Sequence, residues 1–359
     1  MYRMKDSIDG FALLSFLALC DGPLPAEIAN AAGHCDEADL ALLLEGARNH
    51  HVVLRAFPLL QRAMLAHRNP LATRVQELIA AECGRIHHAA NFLSEICREL
   101  AGIGDVVVIK SLDHWPDLGN DLDLFTNGRP ADLISIMRDR FHAQLEKQSW
   151  GDRLANKWNF QVPGLPELVE VHVGRLGQTG EQIAVTNSLV ARARTVTLGN
   201  HQFRVPGAEE QIIISTLQRM YRHFYLRLCD IVNIAAVMDS GALDYEYLES
   251  LATSAGLWDG LATYLGIIAR SVEKYRGHAP DLPRSVVEAA RFGEDHVGYR
   301  HKFLRIPIFP QAASLYAREW SRLAFDGQIE NTLRLSLLPG LAMAALVAAK
   351  ISGTDKGIW

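Results

Sequence analysis

The chain has 359 residues, of which 49% are hydrophobic and 21% charged, and its formal net charge is −5. This length allows two or three domains, each with a hydrophobic core. The negative charge argues against a generally basic surface that coats nucleic acid, although a local basic cleft stays possible. The five cysteines are scattered without a Cys-x-x-Cys pair, and no signal-peptide pattern is present. This fits a cytoplasmic protein with unpaired thiols and predicts no zinc site.

Residues 1–72 are predicted to form an N-terminal module that resembles a winged helix-turn-helix. Apolar stripes and caps predict three helices, over residues 8–19, 25–32 and 36–48. A short strand is predicted at Val52–Arg55. Six acids and one base, Arg48, lie between residues 21 and 49, and phosphate contacts need the opposite sign. Duplex DNA is therefore not expected as a partner, and the module is expected to be structural or to dock a protein.

Residues 73–207 are predicted to form an α+β core with a small mixed sheet of about five strands. A long helix is expected over residues 73–100, and another over residues 131–147. Strands are expected at residues 106–109, 121–125, 158–162, 168–173, 195–198 and 202–205.

Two aspartates share one face of the strand predicted at residues 121–125. A strand has a period of two, so Asp121 and Asp123 point the same way, where they repel each other and are costly to desolvate. A divalent cation is the usual remedy, since Mg²⁺ takes carboxylate oxygens. In the later strand Glu170 and His172 also share a face. If the two strands are neighbours, Glu170 completes a site for one or two Mg²⁺ ions, or Mn²⁺, with His172 orienting a carboxylate.

Four short motifs follow one another in an order that is shared with known enzymes. They are Lys110-Ser111, Asp121-Leu-Asp123, Glu170-Val-His172 and Arg227-Leu-Cys-Asp230. The first two resemble the polymerase-beta-type nucleotidyltransferases. More narrowly, all four resemble a group of uncharacterised bacterial nucleotidyltransferases, over about residues 75–256. The chain departs from them in two ways: Ser111 stands where Gly is usual, and no Arg precedes the Asp-x-Asp turn, which removes one expected phosphate contact.

The resemblance implies a nucleotidyltransferase of the EC 2.7.7 type. Such an enzyme moves an NMP group from an NTP to an acceptor hydroxyl and releases pyrophosphate. The acceptor would be an RNA end, a protein side chain or a small molecule. Asp121 and Asp123 would hold both metal ions, and Glu170 would bind the ion that activates the acceptor. Ser111 would meet a phosphate, and Lys110 would either meet a phosphate or pair with an acid.

Residues 208–359 are predicted to form a helical domain. One long helix, over residues 211–239, would carry a basic stripe within about 140° of one face. The stripe consists of Arg219, Arg222, His223 and Arg227, with Asp230 one turn beyond. It would either hold the triphosphate, with Asp230 orienting Arg227, or be a solvated face with a routine salt bridge. The apolar residues 335–349 are too few for a membrane span, which needs about 20, and are expected to be buried or covered by a partner.

A second hypothesis is a non-catalytic protein. It would be a nucleotide-sensing regulator or scaffold that docks a protein through the N-terminal module. The presence of all three acids argues against this role, since a sensor has no need of a carboxylate that activates an acceptor. The pattern does not reveal which NTP would be used, because base selectivity depends on the shape of the pocket.

Overall fold

Five helices precede the first strand in the computed structural model, which describes residues 9–340. They are α1 (Gly10–Leu19), α2 (Ala26–Gly33), α3 (Glu37–His50), α4 (Val53–Ala66) and α5 (Ala72–Leu100). The first three confirm the predicted helices. Asp36 caps α3 by accepting a hydrogen bond from the Asp39 N–H at 2.9 Å. The long helix predicted from residue 73 to residue 100 is confirmed as α5.

The strand predicted at Val52–Arg55 is wrong, because these residues begin helix α4. The reason lies far away in the sequence. The buried carboxylate of Asp117 accepts hydrogen bonds from the backbone N–H groups of Leu54 at 2.7 Å and Arg55 at 3.1 Å. It thereby satisfies two donors that the first turn of a helix leaves free. The N-terminal module thus lacks the strand on which its likeness to a winged helix depended.

A five-stranded mixed sheet follows, as the α+β prediction requires. Its strands are β1 (Val106–Val108), β2 (Asp121–Thr126), β3 (Gln144–Leu145), β4 (Lys157–Gln161) and β5 (Leu168–Val173). The spatial order is β1-β2-β5-β4-β3, and only β2 and β5 are parallel. Intervening helices are α6 (Pro130–Phe141), α7 (Trp150–Leu154) and α8 (Ile183–Ala191). The predicted hairpin of β6 (Arg194–Leu198) and β7 (His201–Val205) forms a separate sheet.

The parallel pairing of β2 with β5 determines which side chains meet. Asp123 lies opposite Glu170, as the sequence hypothesis requires. Side chains alternate between the two faces of a strand, so Leu122 and Leu124 point away from these acids. Both leucines are fully buried in a hydrophobic cluster that also contains residues of α5 and α6, such as Leu93. Burial of this apolar face fixes the register, and the acids are left on the opposite face.

The C-terminal part is mainly helical but more broken than predicted. It contains α9 (Ala208–Thr216), β8 (Tyr225–Leu226), α10 (Leu228–Asp239), α11 (Tyr245–Ser254), α12 (Trp258–Arg276), α13 (Arg284–Ala289), β9 (Gly298–Arg300), β10 (Phe303–Arg305), α14 (Ala313–Phe325) and α15 (Ile329–Ser336). The single helix predicted over residues 211–239 is wrong. A π-helical segment, Leu217–His223, follows α9, and the backbone then leaves the helix at Phe224, whose φ is 53°. Strand β8 pairs with β10, which replaces the lost helical hydrogen bonds.

The largest hydrophobic cluster joins the two ends of the described chain. It includes Leu13 and Leu17 of α1, Ile231 of α10 and Leu265 of α12. The boundaries predicted at residues 72 and 207 stay predictions. No helix within residues 9–340 is long and apolar enough to cross a membrane. Of the apolar segment at residues 335–349, the part from residue 341 onward lies outside the described residues.

We expect Asp117→Ala to destabilise the protein, because it leaves two N–H groups of α4 without their acceptor. Buried donors that lose their partner cost about 1–3 kcal/mol. Since two donors lose their acceptor, the free energy of unfolding, measured by urea denaturation, should fall by about 2–6 kcal/mol. Asp132→Ala, which removes a half-exposed acid from the first turn of α6, serves as the control and should change it by less than about 0.5 kcal/mol. Equal effects of the two substitutions would contradict this role of Asp117.

Candidate active site

A strained turn centred on Lys110 follows strand β1. Lys110 has φ 61° and ψ −55°, and the Ser111 N–H donates to the Ile109 carbonyl at 2.6 Å. This is a three-residue γ-turn of the strained kind, which residues with a side chain rarely adopt. Backbone strain of this sort concentrates at functional sites, where the surrounding structure maintains it. The turn directs the Lys110 side chain towards the acids of β2 and β5.

Ser111 holds the turn against β2. Its hydroxyl donates to the Asp121 carbonyl at 3.2 Å and accepts from the Asp123 N–H at 2.7 Å. The backbone N–H of Ser111 is already bonded to Ile109. The two donors that Ser111 could offer to a phosphate, its hydroxyl and its backbone N–H, are therefore both bonded within the protein. Direct phosphate binding by Ser111 stays a prediction, and it requires one of these hydrogen bonds to be exchanged.

The Lys110 ammonium lies between two buried carboxylates. Its Nζ forms an ion pair with Asp123 Oδ1 and lies 3.5 Å from Glu170 Oε1. All three residues are less than 10% exposed. Of the two roles predicted for Lys110, pairing with acids is the one that the structure shows. The ammonium stands where two carboxylates would otherwise repel each other.

Glu170 has further partners on β4 and β5. Lys157 Nζ lies 2.8 Å from Glu170 Oε2 and 3.0 Å from Asp152 Oδ1. His172 Nε2 lies 3.0 Å from Glu170 Oε1. Burial lowers the pKa of His172 to about 4, so the ring is neutral and its Nε2–H donates to the carboxylate. This contact fits the predicted role of His172 in orienting a carboxylate.

Asp121 occupies the rim of the site and is exposed, although it shares a strand face with Asp123. Within residues 9–340 its carboxylate has no hydrogen-bond or ion-pair partner. It lines a cavity of about 510 Å³ together with Asn120, Gln144 and Gln161. The structure thus brings Asp123 and Glu170 together and leaves Asp121 at the opening, beside free volume.

The pKa values of the acids differ because their surroundings differ. Burial raises the pKa of Asp123 to about 7, and the nearby Glu170 charge adds to this, while Lys110 opposes it. The pKa of Glu170 lies well below its usual range: burial would raise it, but Lys110, the His172 hydrogen bond and Lys157 outweigh that effect. Partial desolvation at the rim of the site and the charge of Glu170 raise the pKa of Asp121. Asp123 and Asp121 are therefore the acids that hold a proton more readily.

Four carboxylates and two ammonium groups make up what we name the carboxylate cluster. Its members are Asp121, Asp123, Asp152, Glu170, Lys110 and Lys157. With every carboxylate ionised, four negative and two positive charges leave a net charge of −2. One divalent cation would neutralise this charge, and burial of an uncompensated charge is costly.

The donor set also fits a hard cation. Ligand atoms of Asp123, Glu170 and His172 lie within 4.8 Å of one another. Asn159 of β4 lies directly opposite Glu170 of β5 in the sheet. The side-chain oxygen Oδ1 of Asn159 is buried and accepts no hydrogen bond. Carboxylate and amide oxygens are the ligands that Mg²⁺ and Mn²⁺ prefer. A cation here would take Asp123 and Glu170 as ligands, with Asp121 near the opening.

The predicted basic stripe does not lie on one helix face. Arg222 lines a narrow cavity of about 40 Å³ together with Lys110 and His172, and that volume suits water rather than a triphosphate. Arg219 is fully buried, and its Nε lies 2.7 Å from Asp230 Oδ2. Asp230 also accepts from the Arg227 backbone N–H at 2.6 Å. The side-chain pair predicted between Arg227 and Asp230 is thus wrong, because Arg219 takes the carboxylate.

Sequence reasoning missed four residues of the site, which are Lys157, Asn159, Asp152 and Asp113. Lys157 faces Glu170 from β4, and the alternation of Lys157 with Asn159 on a strand that pairs with β5 could have indicated it. Asp152 reaches Lys157 from the short helix α7, and no local pattern shows this. Asp113 follows the turn, and burial raises its pKa to about 8, so that it is mostly protonated at neutral pH.

Lys110→Met is expected to strengthen the binding of Mn²⁺, because the ammonium occupies the space and supplies the charge that a cation would supply. Removal of a unit charge within about 4 Å of a buried carboxylate is worth several kcal/mol at an effective dielectric constant near 20. We expect affinity to rise by about tenfold or more, measured by titration calorimetry. Lys147→Met, which removes an exposed charge, is the control. Unchanged or weaker binding by the Lys110 variant would contradict competition between lysine and metal.

Comparisons with known proteins identify no family for this chain. No protein-family model matches it. A search of curated proteins finds no match either. The resemblance to nucleotidyltransferases therefore depends on the four motifs and on the contacts that their residues make.

Proposed function

We propose that this protein is a metal-dependent nucleotidyltransferase. One observation carries the proposal: Asp123 and Glu170 are buried, come from two parallel strands and lie opposite each other, in a cluster whose net charge is −2 when every carboxylate is ionised. Two strand-borne acids beside a tight turn are what the resemblance leads one to expect. The proposed reaction moves an NMP group from an NTP to an acceptor hydroxyl.

Asp123 and Glu170 would hold Mg²⁺, with Asp121 and the free Asn159 Oδ1 as further oxygen donors. Bound Mg²⁺ would supply positive charge that lowers the cost of bringing a polyanionic nucleotide to the site. His172 and Lys157 would keep Glu170 oriented, since both already contact its carboxylate. Because the pKa of Asp123 is about 7, binding of the cation would release a proton near neutral pH.

Lys110 would change partners when the nucleotide and its metal bind. Its ammonium now compensates Asp123 and Glu170. A divalent cation at the same carboxylates would repel it, and the freed ammonium could then contact a phosphate of the NTP. The strained backbone of Lys110 holds the side chain close to both positions. This exchange would join the two roles that the sequence suggested for Lys110.

In the reaction, the acceptor oxygen attacks the α-phosphorus of the NTP. A new O–P bond forms, the bond to the β-phosphate oxygen breaks, and pyrophosphate leaves with the electron pair. The acceptor proton needs a base. Glu170 has its carboxylate held by three donors and its pKa lowered, whereas Asp121 is exposed, has no partner among the described residues and has a raised pKa. Asp121 therefore suits this step better than Glu170, whose predicted role was to bind the ion that activates the acceptor.

The acceptor would approach through the cavity beside Asp121. This space of about 510 Å³ is lined by amide side chains, including Asn120, Gln144 and Gln161, and by Pro163. Its volume lies in the range of small-molecule sites. These amide groups, together with the carboxylates of Asp121 and Glu167 that also line the cavity, suit an acceptor that carries hydroxyl groups.

One observation favours the non-catalytic alternative, a nucleotide-sensing regulator or scaffold. Lys110 already supplies a positive charge between Asp123 and Glu170. A protein that had replaced a metal by this lysine would keep the fold without the reaction. It would bind an NTP but would not release pyrophosphate.

The direct test of catalysis is pyrophosphate release by wild type and Asp121→Ala, with Mg²⁺ and each NTP over a panel of acceptors. We expect Mg²⁺-dependent release by the wild type and a loss of more than about 100-fold in the variant. Loss of a residue that only hydrogen-bonds to a metal ligand typically lowers metal affinity or activity 10- to 100-fold, so removal of the proposed ligand and base should lower the rate further.

Asp139→Ala, which removes an exposed acid from α6, is the matched control and should keep the wild-type rate. If the wild type binds an NTP yet releases no pyrophosphate with any acceptor, the regulator becomes the better account. Equal rates for wild type and the Asp121 variant would exclude the proposed role of Asp121.

A further inference from the structure

A group of arginines surrounds two stacked aromatic rings in the three-stranded sheet of β8, β9 and β10. Tyr225 of β8 and Phe303 of β10 stack with their ring centroids 4.5 Å apart and their planes at 24°. The guanidinium carbon of Arg305 lies 5.0 Å from the Tyr225 ring, and that of Arg227 lies 5.7 Å from both rings. The guanidinium carbon of Arg219 lies 5.6 Å from the centroid of the Tyr225 ring. We name Arg219, Arg227 and Arg305 the arginine group.

The arginine group carries more positive charge than its surroundings compensate. Asp230 is the carboxylate that contacts it, with Oδ2 2.7 Å from Arg219 Nε. Within residues 9–340, neither Arg227 nor Arg305 forms an ion pair with a carboxylate. Three guanidinium groups and one carboxylate leave a net charge of +2. Cation–π contacts with the rings hold the guanidinium groups in place but do not neutralise them.

Buried donors of the same group also lack acceptors. Arg219 is 1% exposed, and its Nη1 has no hydrogen-bond partner. The Nε atoms of Arg227 and Arg305 are likewise buried without a partner. A buried donor without an acceptor is costly, so three of them at one place indicate that an acceptor-rich group belongs there. Guanidinium forks match phosphate oxygens in both geometry and charge.

We infer that the arginine group binds phosphate oxygens that together carry two negative charges. The site is separate from the carboxylate cluster, which we propose as the cation site, and β10 contributes Arg305, which lies outside the four motifs. Arg227 opposes the rise in the pKa of Asp121, so a phosphate held by the arginine group would lie within electrostatic range of the proposed active site. Its source is either the polyphosphate of a nucleotide or the backbone of a polynucleotide.

The test is metal-free titration calorimetry of the whole protein with two probes, inorganic tripolyphosphate and a short single-stranded RNA. We compare wild type with Arg305→Leu, which removes one charge while keeping an apolar side chain over the rings. A hydrogen bond to a charged group is worth about 1.5–3 kcal/mol, so the affinity for at least one probe should fall by about tenfold or more. Arg300→Leu removes an exposed charge from the same hairpin and should change affinity by less than about twofold.

The two probes separate the two sources of the phosphate. If Arg305→Leu weakens the binding of tripolyphosphate alone, the site is assigned to a nucleotide. If it weakens the binding of RNA, the site is assigned to a polynucleotide. Arg305→Lys keeps the charge without the fork, should fold as the wild type does, and should bind with intermediate affinity. Wild-type affinity of Arg305→Leu for both probes, or no binding of either probe by the wild type, would overturn the inference. Since no metal or turnover is involved, such a result would leave the proposed reaction standing.

Discussion

The contact on which the site depends is the one between the Lys110 ammonium and the carboxylates of Asp123 and Glu170. Two buried acids on neighbouring strands repel each other, and the folded chain needs a positive charge between them. A lysine supplies it from a strained turn. With every carboxylate ionised, the carboxylate cluster keeps a net charge of −2. In our proposal this charge favours the binding of a divalent cation, which would displace the lysine.

Much of the acidic face could be predicted from the sequence. The alternation in β2 and β5 placed Asp121 with Asp123, and Glu170 with His172, because the period of a strand is two. The apolar residues between them, such as Leu122, also predicted the buried face correctly. The pairing of β2 with β5 was only a condition of the hypothesis, yet the structure meets it. Such alternation predicts the structure well because the apolar side of a strand is the side that packs into the core.

Other features depend on contacts between distant residues and could not be predicted in this way. Helix α4 begins where a strand was expected, since Asp117 supplies its cap from 62 residues or more away. The predicted C-terminal helix breaks at Phe224 because β8 pairs with β10. That break separates Arg222, beside Lys110, from Arg227, beside the aromatic rings. The spacing of apolar residues along a chain does not show which distant strand will pair with a segment. The basic residues predicted on one helix face therefore lie in two separate parts of the structure.

The most direct test of this account is anomalous diffraction from crystals soaked in Mn²⁺. The account predicts a manganese peak between the carboxylates of Asp123 and Glu170, with Lys110 Nζ moved away from both. A site that keeps Lys110 between the two acids, with no peak at saturating Mn²⁺, would contradict it. The lysine would then be the permanent counter-charge of a cluster that does not bind metal.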